Sequence, residues 1–167
     1  MISRNSASLP GRLSLLGLML TACNPSGGEN RSTAYHLAAI TVPALEESVA
    51  WYETNLDFDV KAEFTGRDGK SRVVLLDRDG FILEIAHHQD QIAITDFVNP
   101  PPRRPMVQGI FKFGLPVAPF DSVVAVLRER GVVFVGGVFE DPTFAVRSVV
   151  IEDNSGIGVQ LFERPAR

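Results

Sequence analysis

The 167-residue chain has one cysteine, Cys23. A disulfide within the chain is therefore excluded, and stability must come from a packed core. At 45% hydrophobic residues, the chain can supply one. Long apolar runs are also missing. The greasiest stretch, residues 13–20, is far short of the roughly 20 residues a membrane-spanning helix needs. Positive charge is scarce: 16 basic residues face 20 acidic ones, a net charge of −4. That balance argues against nucleic acid, which selects a basic stripe, and against electrostatic docking on anionic lipid. No glycine-rich phosphate loop is present. Asp77-Arg78-Asp79-Gly80 lacks the further ligand positions of a calcium loop and reads as a hairpin turn. Ser148, Asp153 and His36 have no spacing that marks a catalytic triad, although triads are set by geometry rather than order.

The lone cysteine gains meaning from what precedes it. Arg4 and Arg12 supply charge, residues 13–20 supply an apolar core, and Leu20-Thr21-Ala22-Cys23 closes the segment. The pattern fits an export signal. Its last four residues resemble the lipobox of bacterial lipoproteins, which implies removal of residues 1–22, lipid on Cys23, and an address in the bacterial cell envelope at a membrane surface. Without Arg4 and Arg12 the remainder has 14 basic against 20 acidic residues, a net −6. The acyl chains must then do the anchoring, each buried CH₂ contributing about 0.8 kcal/mol. Residues 23–34, with Pro25, Gly27 and Gly28, have the composition of a flexible tether.

The remainder, residues 35–164, reads as one α+β domain built from two similar halves. In module one (35–98), an apolar strand over 37–42 is broken by Pro43. Leu45, Val49, Tyr52 and Leu56 then recur at helical spacing. Strands are predicted over 58–64, 72–76 and 81–86, with turn signals at Asp68-Gly69 and Asp79-Gly80. In module two (107–164), residues 109–117 alternate strictly, with Phe111, Phe113, Leu115 and Val117 on one face. A helix after Pro119 carries Val123, Val124, Val126 and Leu127, and Gly131 is placed to cap it. Strands over 132–135, 144–151 and 157–162 complete a second β-α-β-β-β unit. A proline-rich linker, 99–106, joins the two and prefers an extended conformation. Its Arg103 and Arg104 read as solvated charge.

Two such modules in tandem form an internal repeat, and their wording carries a resemblance. Thr41-Val42-Pro43-Ala44-Leu45-Glu46-Glu47-Ser48-Val49-Ala50-Trp51-Tyr52, followed by Leu56-Asp57-Phe58, resembles the opening of the vicinal oxygen chelate superfamily. Asp77 to Ile85 resembles its fourth strand, and Asp153 to Leu161 echoes that strand in the second half. The superfamily includes glyoxalase I, extradiol dioxygenases, fosfomycin-resistance proteins and bleomycin-binding proteins. The resemblance implies curved mixed sheets around a cavity with helices outside. It also implies divalent-metal ligands on the first and last strands of each module, at the positions of Leu37, Glu84, Lys112 and Gln160. A homodimer is within the family's habit of pairing modules to complete cavities.

The residues at those positions pull against a metal. Leu37 has no donor atom, Lys112 is a cation, and Gln160 offers only an amide oxygen, while divalent ions need several converging donors. His36 is one residue from a ligand position and would reach Glu84 only through a bulge. His88 lies four residues beyond Glu84, near its strand end. An ion pair between Lys112 and Glu84 is one expected replacement, because either charge buried alone is costly; the alternative is that both sit solvated at the cavity mouth. Two functions are open at this level. One is a metal-free module in which Leu37, Ala39, Thr41, Ile82, Glu84, Lys112, Gly114, Gln160 and Phe162 line a site for a small apolar or anionic ligand. The other is a metal-dependent lyase or dioxygenase centred on Glu84, in which the ion acts as a Lewis acid.

Overall fold

Alternating side chains and well-placed turns give module one its sheet. In the computed structural model, which describes residues 36–93 and 110–164, the first five elements are β1 (His36–Thr41), α1 (Leu45–Leu56), β2 (Asp59–Thr65), β3 (Ser71–Arg78) and β4 (Phe81–His88). The leader, the tether with Cys23, and the linker with Arg103 and Arg104 lie outside the described residues. The strand order is β1-β4-β3-β2, with β1 parallel to β4 and the other pairs antiparallel. Asp79 (φ 52°) and Gly80 (φ 83°) form the left-handed two-residue turn that suits tightly paired strands.

Module two repeats the plan. It contains β5 (Lys112–Val117), α2 (Phe120–Glu129), β6 (Val133–Phe134), β7 (Phe139–Asp141), β8 (Val146–Glu152) and β9 (Gly158–Glu163). The order is β5-β9-β8-β6, and β7 also pairs with β8. The strand predicted over 132–135 is shortened to β6, with the Val135 N–H still donating to Val150 O at 2.8 Å, and β7 beyond Gly136-Gly137 is an additional strand that was not predicted. The strand predicted from residue 144 begins at Val146, because Asp141 Oδ1 accepts from the Thr143 and Phe144 N–H groups and holds a turn there. The first strand begins at Lys112 rather than 109, and Phe111 is exposed instead of sharing the core with Phe113. Val126 is also exposed. The buried face of α2 is Phe120, Val124 and Leu127, the i, i+4, i+7 rows of a helix. Gly131 ends α2 as expected: its N–H bonds to Arg128 O, and the Val132 N–H to Leu127 O. No described helix is long and apolar enough to cross a membrane.

Each sheet turns one face to its helix, and those two faces share one core. Ile40, Val74, Leu76, Leu83 and Ile85 from the first sheet join Leu115, Val117, Val149, Ile151, Val159 and Leu161 from the second. Phe81 and Phe113 stack across the junction, with centroids 5.8 Å apart and planes 14° from parallel. Fully buried Tyr52 donates to Asp153 Oδ2 at 2.8 Å, joining α1 to the β8–β9 turn. The other oxygen of Asp153 accepts the Ser155 and Ile157 N–H groups, each at 2.8 Å. Arg130 Nη1 donates to Thr54 O, and Arg164 Nη2 meets Asp79 at 3.0 Å.

Tyr52→Phe would leave the buried Asp153 carboxylate one donor short, at a cost of about 1–3 kcal/mol, measured as a lower urea midpoint with unchanged slope. Burial, with the Asp153 charge and hydrogen bond, raises the Tyr52 pKa well above its ordinary 10.0. The raised folded value means that the stabilisation is complete below the unfolded pKa and drains away as pH climbs past it. The gap between wild type and Tyr52→Phe should therefore narrow above pH 10.0, and a constant gap into strong alkali would contradict this assignment.

Candidate functional site

The faces turned away from the helices carry the predicted site residues. In the β1–β4 ladder, Leu37 lies opposite Ile82, Ala39 opposite Glu84 and Thr41 opposite Ala86. Paired residues share a face, so Leu37, Ala39, Thr41, Ile82 and Glu84 come together on the open side of the first sheet. In the β5–β9 ladder, Gly114 is opposite Gln160 and Pro116 opposite Phe162. Lys112, Gly114, Gln160 and Phe162 accordingly share the open side of the second sheet. Leu37 is 58% exposed, whereas Ile82 and Gln160 are buried.

Lys112 does not pair with Glu84. Its ammonium donates to Gln160 Oε1 at 2.5 Å, which corrects the expected ion pair. The cause is register: Lys112 and Gln160 sit on adjacent parallel strands of one sheet, while Glu84 belongs to the other. Gln160 Nε2 in turn donates to Ser148 Oγ at 2.8 Å and lies 3.4 Å from Asp141 Oδ2. The Ser148 hydroxyl donates to Leu161 O at 3.0 Å. The result is a chain of polar groups running from an ammonium inward. Glu84 has no hydrogen-bonding or ion-pair partner among the described residues.

An apolar cleft adjoins this chain. The Phe162 ring lies so close over Gly114 that a Cβ there would sit 2.6 Å from its edge. Phe144 meets Phe162 edge-on, with centroids 5.2 Å apart. Pro116, Phe144, Val146, Phe162 and Glu163 line a cleft of about 260 Å³. Sequence reasoning missed Ser148 and Asp141 as partners of Gln160, and Phe144 as a wall. Ser148 was readable from strand alternation once β8 was placed beside β9. Asp141 and Phe144 depend on the split edge strand, which periodicity does not reveal.

The metal-ligand positions do not fit a divalent ion. Leu37 presents carbon, and the oxygen of Gln160 is already taken by an ammonium. That ammonium would repel a cation at the same point. His36 belongs to the face opposite Glu84, being paired with Phe81 while Glu84 is paired with Ala39, so the His36–Glu84 combination is not formed. His88 accepts the Asp90 N–H on Nδ1 at 3.0 Å and caps its own turn. His87 Nδ1 lies 3.1 Å from Val42 O. Among the described residues, no three His, Cys, Asp or Glu side chains cluster to hold a metal.

Comparison with known proteins agrees with this architecture. Residues 34–161 match the model of the Glyoxalase/Bleomycin resistance protein/Dioxygenase superfamily. The chain belongs to that superfamily. Among solved structures, a glyoxalase family protein from Enterococcus faecalis is 21% identical, with a TM-score of 0.62 over 77% of this chain and 95% of that one. The trypanothione-dependent glyoxalase I of Leishmania major is 18% identical, with a TM-score of 0.57 over 76% and 84%. TioX from Micromonospora sp. ML1 is 14% identical, with a TM-score of 0.57 over 79% and 99%. At these identities the likeness is one of fold, and the superfamily hosts many activities. No curated protein matches the chain.

Proposed function

We propose that this glyoxalase-like domain is a metal-independent binding module for a small molecule with an apolar body and an anionic or strongly accepting head group, held at the bacterial cell envelope by lipid on Cys23. The observation that carries the binding reading is the Lys112–Gln160 contact at 2.5 Å. It holds a positive charge at a position where the superfamily resemblance implies a metal ligand. An ammonium with donors to spare holds an anion, and the Phe162–Phe144 cleft beside it supplies apolar surface. Glu84 keeps the metal-dependent lyase or dioxygenase as the competing reading, but one carboxylate without further donors converging on it is a poor start for a divalent site.

Anilinonaphthalene sulfonate, apolar with one negative charge, is a suitable probe. Its fluorescence should rise and saturate with wild-type protein. Lys112→Met should weaken binding about tenfold, the loss of one charge-assisted contact, and Phe162→Ala should weaken it further. Identical titrations for all three proteins would overturn the binding site.

The lipid reading rests on the residues around Cys23 and on a net charge unsuited to anionic membranes. Cells expressing the full chain and fed radiolabelled palmitate should label the wild type and leave Cys23→Ser unlabelled. Equal label in both, or a released wild-type protein, would contradict the anchor.

A further inference from the structure

A second cleft lies at the seam between the modules; it borders the Lys112 site at Gly114 and Pro116, and its charged residues are its own. It has a volume of about 370 Å³ and is lined by His36, Arg78, Asp79, Phe81, Gly114, Leu115, Pro116 and Arg164. Phe81 and Pro116 supply apolar surface. Two guanidinium groups and an imidazole face one carboxylate, a positive balance on a chain whose total charge is −4.

Arg78 is the unexplained member. Its Nη1 is buried and has no hydrogen-bond partner among the described residues. A buried donor left empty costs free energy, more so on a charged group, and native structures rarely keep one without a use. Burial lowers the Arg78 pKa from its ordinary value, and Arg164 adds to this, while Asp57 and Asp79 act against it. Those two carboxylates are close enough to be felt but make no ion pair with Arg78. Asp79 instead engages Arg164 at 3.0 Å.

We infer that this seam cleft binds a small carboxylate with an apolar tail. The guanidinium of Arg78 turns toward the cleft and exchanges its empty position for a carboxylate oxygen. Arg164 offers further donors beside it, and the tail lies against Phe81 and Pro116. Guanidinium suits this task because its planar donors match both oxygens of a carboxylate. Arg164 and Phe81 come from different modules, so an occupant would also tie the modules together.

Octanoate is the probe, with octanamide as its neutral counterpart, followed by backbone amide shifts in the full domain. Octanoate should shift the amides of Gly80, Phe81 and Leu115 in a saturable way, and octanamide should not. Arg78→Met should weaken octanoate about tenfold or more, as expected for losing a charge-assisted contact. Arg78→Lys, which keeps charge and loses the planar fork, should recover only part of it. Should Arg78→Met fold poorly, Arg164→Met, whose side chain is on the surface, reads the same site. Three results would overturn the proposal: no shifts at millimolar octanoate, equal binding of octanamide, or full affinity in both methionine variants. Shifts confined to Gln160 and Phe162 would also overturn it, and would assign the carboxylate to the Lys112 site instead.

Discussion

The buried hydrogen bond from Tyr52 to Asp153 is the constraint on which the arrangement of the domain depends. A carboxylate at 5% exposure is costly unless its lone pairs are used. Here three donors converge on it: a phenol from the first module and two N–H groups of the turn in which Asp153 itself sits. The turn is thereby closed from within and clamped from outside. Because α1 and the β8–β9 turn cannot then slide, Phe81 stacks on Phe113 and the helix-covered faces of both sheets become one core. The faces left over are the ones that carry the site.

On those faces, strand pairing decides the chemistry. A parallel β5–β9 ladder puts Lys112 within reach of Gln160, and an antiparallel β8–β9 ladder puts Ser148 beside Phe162, within reach of the Gln160 amide. Each polar group is thus used by its neighbour, and the outermost one is a cation with donors remaining. Glu84 stands on the other sheet with Ala39, Leu37 and Thr41 around it, and among the described residues no cluster of His, Cys, Asp or Glu joins it to hold a metal. The positions at which the resemblance implies metal ligands hold Leu37, Lys112 and Gln160 beside the single carboxylate Glu84.

Much of this was legible in the residues. Strict alternation placed β5, apolar runs and turn signals placed β1, β4 and β9, and the resemblance to the superfamily implied the positions Leu37, Glu84, Lys112 and Gln160. Asp79-Gly80 and Gly131 marked their turn and cap because few residues accept those backbone angles. What escaped was set by context. Val126 and Phe111 are apolar, but the helix phase and the late start of β5 leave them in solvent. The split between β6 and β7 follows from Gly136 and Gly137 at an edge, where pairing is optional. Lys112 was matched to the wrong acceptor because charge suggests a carboxylate, whereas adjacency supplied an amide. The orphaned donor of Arg78 could not be foreseen, since only packing shows which polar atom is left without a partner.

The positions at which the resemblance implies metal ligands hold a cation and a carbon side chain where a divalent metal would need donors. Elemental analysis of the full-length protein, purified with zinc, nickel, manganese and iron available, tests it most directly. The account predicts no ion in stoichiometric amount, in the wild type and in Glu84→Ala alike. A stoichiometric ion in the wild type that disappears in Glu84→Ala would contradict it.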